Sequence, residues 1–126
     1  MKNVLPIAIL LIFLIIFGVL SYQKIQLAAE ELLSKINSIE ALVNMERWGE
    51  AEAALDELKE TWKGTSSLWG ILLNHREMEN IELSIAKLDR LIATKNMTLI
   101  PSEIATLRLF IGHIPEKEAF MLKNIF

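Results

Sequence analysis

The stretch from Ser21 to Asn44, SYQKIQLAAEELLSKINSIEALVN, contains neither Gly nor Pro, and its residues Ile25, Ala29, Leu32, Ile36, Ile39 and Val43 recur at alternating spacings of four and three. At about 3.6 residues per turn this period draws one apolar stripe along a helix, the seam of a coiled coil or bundle. No breaker separates the seam from what precedes it. Val4 to Leu20 holds 17 consecutive residues without a charge or a side-chain hydrogen bonder, and fourteen of them are Val, Leu, Ile or Phe. On an insertion scale of roughly −0.3 to −0.6 kcal/mol each, these contribute on the order of −4 to −8 kcal/mol, more than Pro6 and Gly18 offset.

Extended to Tyr22 as a helix, the apolar segment is about 28 Å long, close to the hydrocarbon thickness of a bilayer. A secretory core is shorter, about 7 to 15 residues, and the A-x-A cleavage pattern is missing, although Val19 and Ser21 stand at the peptidase spacing. The sequence therefore predicts a retained single-pass anchor over residues 1–22 and a helical domain over 23–126, sharing one helix about 60 Å long that ends near Asn44. Cleavage near Ser21 is the competing reading. Lys2 and the terminal amine before the span nearly balance Lys24 and Lys35 after it. The positive-inside rule is thus almost silent, and the short N-terminus points to an extracytoplasmic domain in the cell membrane.

Downstream, Trp48, Ala51, Leu55, Leu58 and Trp62 follow the same three-four spacing and predict a second helix. Gly64 to Ser67 reads as a turn, which puts a third helix over Leu68–Thr94 with its wholly apolar first turns central in the bundle. Pro101 stops any continuation, and Ser102 is the N-cap candidate of a fourth helix whose face carries Ile104, Leu107, Ile111 and Ile114. Pro115 is expected to end that helix or begin a last short one, with Leu122, Ile125 and Phe126 docking on the bundle. Only four Gly and two Pro follow residue 20, too few for the turns of an all-β fold. The fold class is all-α: a transmembrane helix continuing into an antiparallel helical bundle or a stack of helical hairpins. Trp48 and Ala51 faintly suggest a tetratricopeptide helix, but no 34-residue repeat is present.

The net charge of −3 becomes −4 without Lys2. Such a surface lacks the basic stripe of nucleic-acid binders. With no cysteine there is no disulfide framework, thiolate metal site or lipidated cysteine. No nucleotide loop, nucleophile elbow, zinc pattern or calcium loop occurs, and nothing points to a cofactor.

Three constellations remain as candidate sites. His75, Glu79 and Glu82 fall at i, i+4 and i+7, a spacing that can present an imidazole and carboxylates to a metal or a proton donor. The simpler reading aligns His75 with Ile71, Met78 and Ile85 and buries it in a hydrogen bond within the bundle. Trp48, Trp62 and Trp69 gather around one hairpin, as an aromatic patch for a ligand or partner or, more simply, as core. Glu52, Asp56 and Glu60 form an acidic stripe, which Lys59 and Lys63 blunt. Asn96-Met97-Thr98 matches a glycosylation pattern too short to carry weight.

The stretches ERWGEAEAALDELKETW, LLNHREMENIELSIAKLDRLI, LRLFIGHIPEKE and LKNIF together resemble a family of small bacterial proteins known as domain of unknown function 4363. The resemblance covers nearly the whole chain. It implies one N-terminal apolar span and an all-helical remainder, as in proteins mostly of spore-forming Gram-positive bacteria, and it brings no activity and no catalytic residues. Its motif positions here are Trp48, Trp62, His75, Glu79, His113, Asn124 and Phe126. The expectation is a non-enzymatic interaction or scaffold module whose partners are the lipid bilayer and another membrane protein, or a second copy through the seam. A small-ligand-sensing bundle, with a site near the tryptophans, and an enzyme centred on His75 are the rivals.

Overall fold

A segment with no backbone breaker and a continuous apolar stripe has every reason to stay helical. In the computed structural model, α1 runs unbroken over Val4–Asn44, 41 residues or about 60 Å. The structure describes residues 3–125, with the side chains of residues 72, 117–122 and 125 excepted. Over these residues three more helices follow, α2 over Trp48–Leu72, α3 over His75–Ala93 and α4 over Ile100–Ile125, and there is no strand.

The residues of α1 that are buried are the six seam positions Ile25, Ala29, Leu32, Ile36, Ile39 and Val43. They meet Ala51, Leu55, Leu58, Trp62 and Trp69 of α2 and Ile104, Leu107, Ile111 and Ile114 of α4 in one core. α1 packs on α2 and α4, and α3 packs on the same two helices. The seam is thus satisfied inside one chain. The first half of α1 has the opposite character: its most apolar 18-residue window, of mean hydropathy 3.0, is not buried at all and is long and apolar enough to cross a membrane.

Two of the connections are Schellman turns. After α1 the N–H of Arg47 donates to the Leu42 carbonyl and that of Glu46 to Val43; after α3, Asn96 and Lys95 repeat this with Leu91 and Ile92. Each turn needs a left-handed residue, and the chain uses Glu46 (φ 56°) and Lys95 (φ 53°) where glycine is the unstrained choice. Relief of that strain predicts that Lys95→Gly raises stability by about 1 kcal/mol. Denaturant midpoints measure it, with Thr94→Gly, outside the left-handed region, expected to lower them.

Four boundaries differ from the sequence expectation, the smallest being the start of α4 at Ile100, which puts Ser102 inside the first turn and not at the cap. Gly64 to Ser67 is helix, not turn: the hydroxyls of Ser66 and Ser67 both donate to the Lys63 carbonyl at 3.1 Å. The Gly64 penalty of about 1 kcal/mol is small against the burial of Trp62 and Trp69 on the same face of α2, roughly 4 to 6 kcal/mol per indole. Packing overrides the local signal. The real break is at Leu73 and Asn74, where the Asn74 side chain accepts the Arg76 N–H at 2.9 Å and caps α3. Leu68 to Leu72 is consequently the end of α2 rather than the centre of a third helix, and Leu68 and Ile71 are exposed there. α4 also passes through Pro115, neither ending nor restarting, with Ile111 and Ile114 buried beside it. The expected docking of Leu122, Ile125 and Phe126 lies outside the described side chains.

Candidate functional site

Because Asn74 starts a new helix, Ile71 and His75 belong to different helices and share no face. His75, the first residue of α3, is therefore not buried as expected: its side chain is 88% exposed, with Nε2 3.1 Å from Glu79 Oε1. One turn of helix brings these two groups together, but on open surface. Glu82 is elsewhere, at the rim of a groove with Lys59, Trp62 and Asp89. Among the described residues no three His, Asp or Glu side chains converge as a metal site would require. A solvent-screened pair of this kind contributes little. His75→Ala should shift stability by no more than about 0.5 kcal/mol, checked by thermal melting alongside Glu79→Ala.

The tryptophans divide. Trp62 and Trp69 are core residues, one turn pair apart on α2, with ring centroids 5.9 Å apart at 83°. Edge-to-face packing of this kind leaves no slot between the rings. Trp48, at the start of α2, is half-buried and packs against the core edge. Neither indole N–H of Trp62 and Trp69 has an acceptor among the described residues.

The acidic stripe is neutralised where it meets lysine. Glu60 pairs with Lys63 at 3.4 Å, while Lys59 reaches across to Asp89 of α3 at 2.7 Å and lies 4.0 Å from Asp56. Two further polar links join the helices. Ser84, 2% exposed, donates to Glu103 Oε1 at 2.7 Å and ties α3 to α4. Arg108 of α4 donates to Asn37 at 2.8 Å and Glu40 at 3.3 Å on α1.

A concavity with no signature in the sequence lies between α3 and α4. Glu77, Asn80, Leu109, Phe110, His113 and Ile114 line a half-open groove of about 370 Å³. Phe110 is half-buried and Leu109 exposed, so the lining is apolar with three polar groups at its edge. The segments that form it are some 30 residues apart, and no local pattern announces that they meet.

These observations define a class: an all-helical chain with one exposed apolar half-helix, a four-helix core, and no clustered chemistry among its described residues. A family model, domain of unknown function (DUF4363), matches residues 19–125, and the chain belongs to that family. No curated protein and no solved structure matches it. The motif positions expected from the resemblance sort by role. Trp62 is core and Trp48 flanks it, His75 and Glu79 form the surface pair, His113 lines the groove, Asn124 is exposed, and Phe126 lies outside the described residues.

Proposed function

We propose that this chain is a membrane-anchored helical interaction or scaffold module of a bacterial membrane assembly, without chemistry of its own. It sits single-pass in the cell membrane with its helical part outside the cytoplasm. The observation that carries the reading is the division of α1, whose first half is apolar with no residue buried and whose second half has its seam buried by α2 and α4, without a break between them. A continuous helix transmits position: wherever the first half is held, the bundle is held at a fixed distance. Exposed apolar side chains such as Leu83 and Leu109 supply contact points for a protein partner.

Alkaline extraction of native membranes, followed by intact-mass measurement, tests the anchor. The protein should stay in the pellet with its first 20 residues attached. Photo-crosslinkers placed at Leu83 and Leu109 in cells should yield discrete adducts. A monomer without adducts, or a chain cleaved near Ser21, would sink the proposal.

The groove between α3 and α4 supports a second reading, a small-ligand-sensing bundle, since its volume and mixed lining suit a small apolar molecule with one polar end. The tryptophans lend that reading no support. A tryptophan introduced as Phe110→Trp would report it, because a bound ligand changes its emission and an empty groove leaves it constant across a ligand panel.

A further inference from the structure

α2 leaves the turn after Asn44 and runs back along α1, and the register of the two is set near that turn. Lys35 of α1 pairs with Glu57 of α2 at 3.9 Å, and the two residues are equally far from the turn. A helix of 25 residues rises about 37 Å, which returns the end of α2 to the level of Leu20 and Ser21, where the apolar span ends. The sequence changes character there. From Gly64 to Asn74 no residue carries a charge, although charged residues crowd α2 before it and α3 after it.

The faces of this stretch are sorted. Trp69 points into the core and is fully buried. Ser67, Leu68, Gly70 and Ile71 are outside, with open space around the Cβ position of Gly70. Ile71 is 83% exposed, more than any large apolar residue of the span itself, the highest of which is Leu5 at 68%. An isoleucine so placed faces water at a cost unless something apolar covers it.

We infer that the α2–α3 corner, through Leu68 and Ile71, is a second membrane contact, inserted at the lipid headgroup and acyl boundary next to the point where α1 emerges. This rests on the anchor reading. It gives the bundle two attachment points, so that α1 cannot swivel freely about its own exit from the bilayer. Arg76, just beyond the corner and exposed, would in that position meet lipid phosphates.

The chain has no cysteine, which makes single-cysteine spin labels clean reporters. Full-length Ile71→Cys, Leu20→Cys and Lys95→Cys are labelled with a nitroxide and reconstituted in phosphatidylcholine and phosphatidylglycerol vesicles. Accessibility to oxygen, which partitions into lipid, is compared with accessibility to a water-soluble nickel chelate. Because residue 71 is exposed, the label does not disturb the core. The expected oxygen-to-nickel ratio at 71 approaches that at 20 and is several-fold above that at 95. A ratio at 71 equal to that at 95, with 20 in lipid, overturns the second contact and leaves the anchor standing. Low accessibility to both reagents at 71 means that protein covers the corner, and overturns it too. A water-like ratio at 20 removes the anchor and this inference together.

Discussion

Replacing Leu32 and Ile36 together with lysine will abolish the folded bundle and will not merely separate an oligomer. Both side chains are 0% exposed within a single chain, where the seam of α1 meets α2 and α4. The seam alone allowed two outcomes, unfolding or dissociation, because a heptad stripe fits a partner helix from the same chain or from another. Its burial by α2 and α4 decides between them. Each lysine would lose the apolar contact of the residue it replaces and would bring an ammonium into the core, at an effective cost of several kcal/mol per ion. No described acidic side chain lies buried there to pair with it. Two such changes rival a whole domain's stability of about 5 to 15 kcal/mol. The measurement is near-UV and far-UV circular dichroism of the full chain in detergent through a thermal ramp. The double variant should lose its near-UV signal and its cooperative transition, while the apolar half of α1 stays helical. Leu27→Lys, on the 66% exposed outer face of the same helix, should melt like the parent. A folded double variant would mean that the seam is not the core.

How far the fold can be read from the sequence depends on whether the deciding interactions are local. The outer part of α1 is legible, since a run without Gly or Pro from Val19 to Trp48 and a strict apolar period leave one reading, and the apolar span carries the helix back through Gly18 and Pro6. The seam of α4 is legible from its apolar period alone, while Pro115 hides how far that helix runs. The α2–α3 boundary was not, because Gly64-Thr65-Ser66-Ser67 looks like a turn in isolation and is held helical by Trp62 and Trp69 packing on either side of it. A usable signal existed in Asn74 followed three residues later by Glu77, the pattern of a capped helix start. The same boundary decides His75, because its alignment with Ile71 requires a continuous helix and α2 ends at Leu72. Of the candidate site, the pairing of His75 with Glu79 follows from their i, i+4 spacing alone, but their exposure depends on the true start of α3. The groove at Phe110 and His113 needs two helices to meet and has no local signature. The Schellman turns at Glu46 and Lys95 have no signature in the sequence, because the residue that announces such a turn, glycine, is not used.

Trp69→Ala will be the most costly single truncation on α2. The indole is 0% exposed and packs edge-to-face against Trp62, and truncations of large buried aromatics cost about 3 to 5 kcal/mol as lost transfer energy plus cavity. One term works in the opposite direction. The Trp69 N–H is buried without an acceptor among the described residues, a defect that costs about 1 to 3 kcal/mol in the native state and disappears with the ring. The net loss should therefore fall at the low end, about 3 kcal/mol. The same reasoning makes Trp69→Phe mild, under about 1.5 kcal/mol, since most of the apolar volume stays and the orphaned donor goes. Trp48→Ala, at a half-buried position on the edge of the core, should cost less than Trp69→Ala. Urea titrations of the full-length variants in one detergent, followed at 222 nm, give the comparison, and an unchanged slope shows that the midpoint shift is stability. A large loss with Ala and a small one with Phe identifies Trp69 as packing. If Trp69→Ala cost less than about 1 kcal/mol, the ring would not be structural, and the tryptophans would return as a surface open to a ligand or a partner.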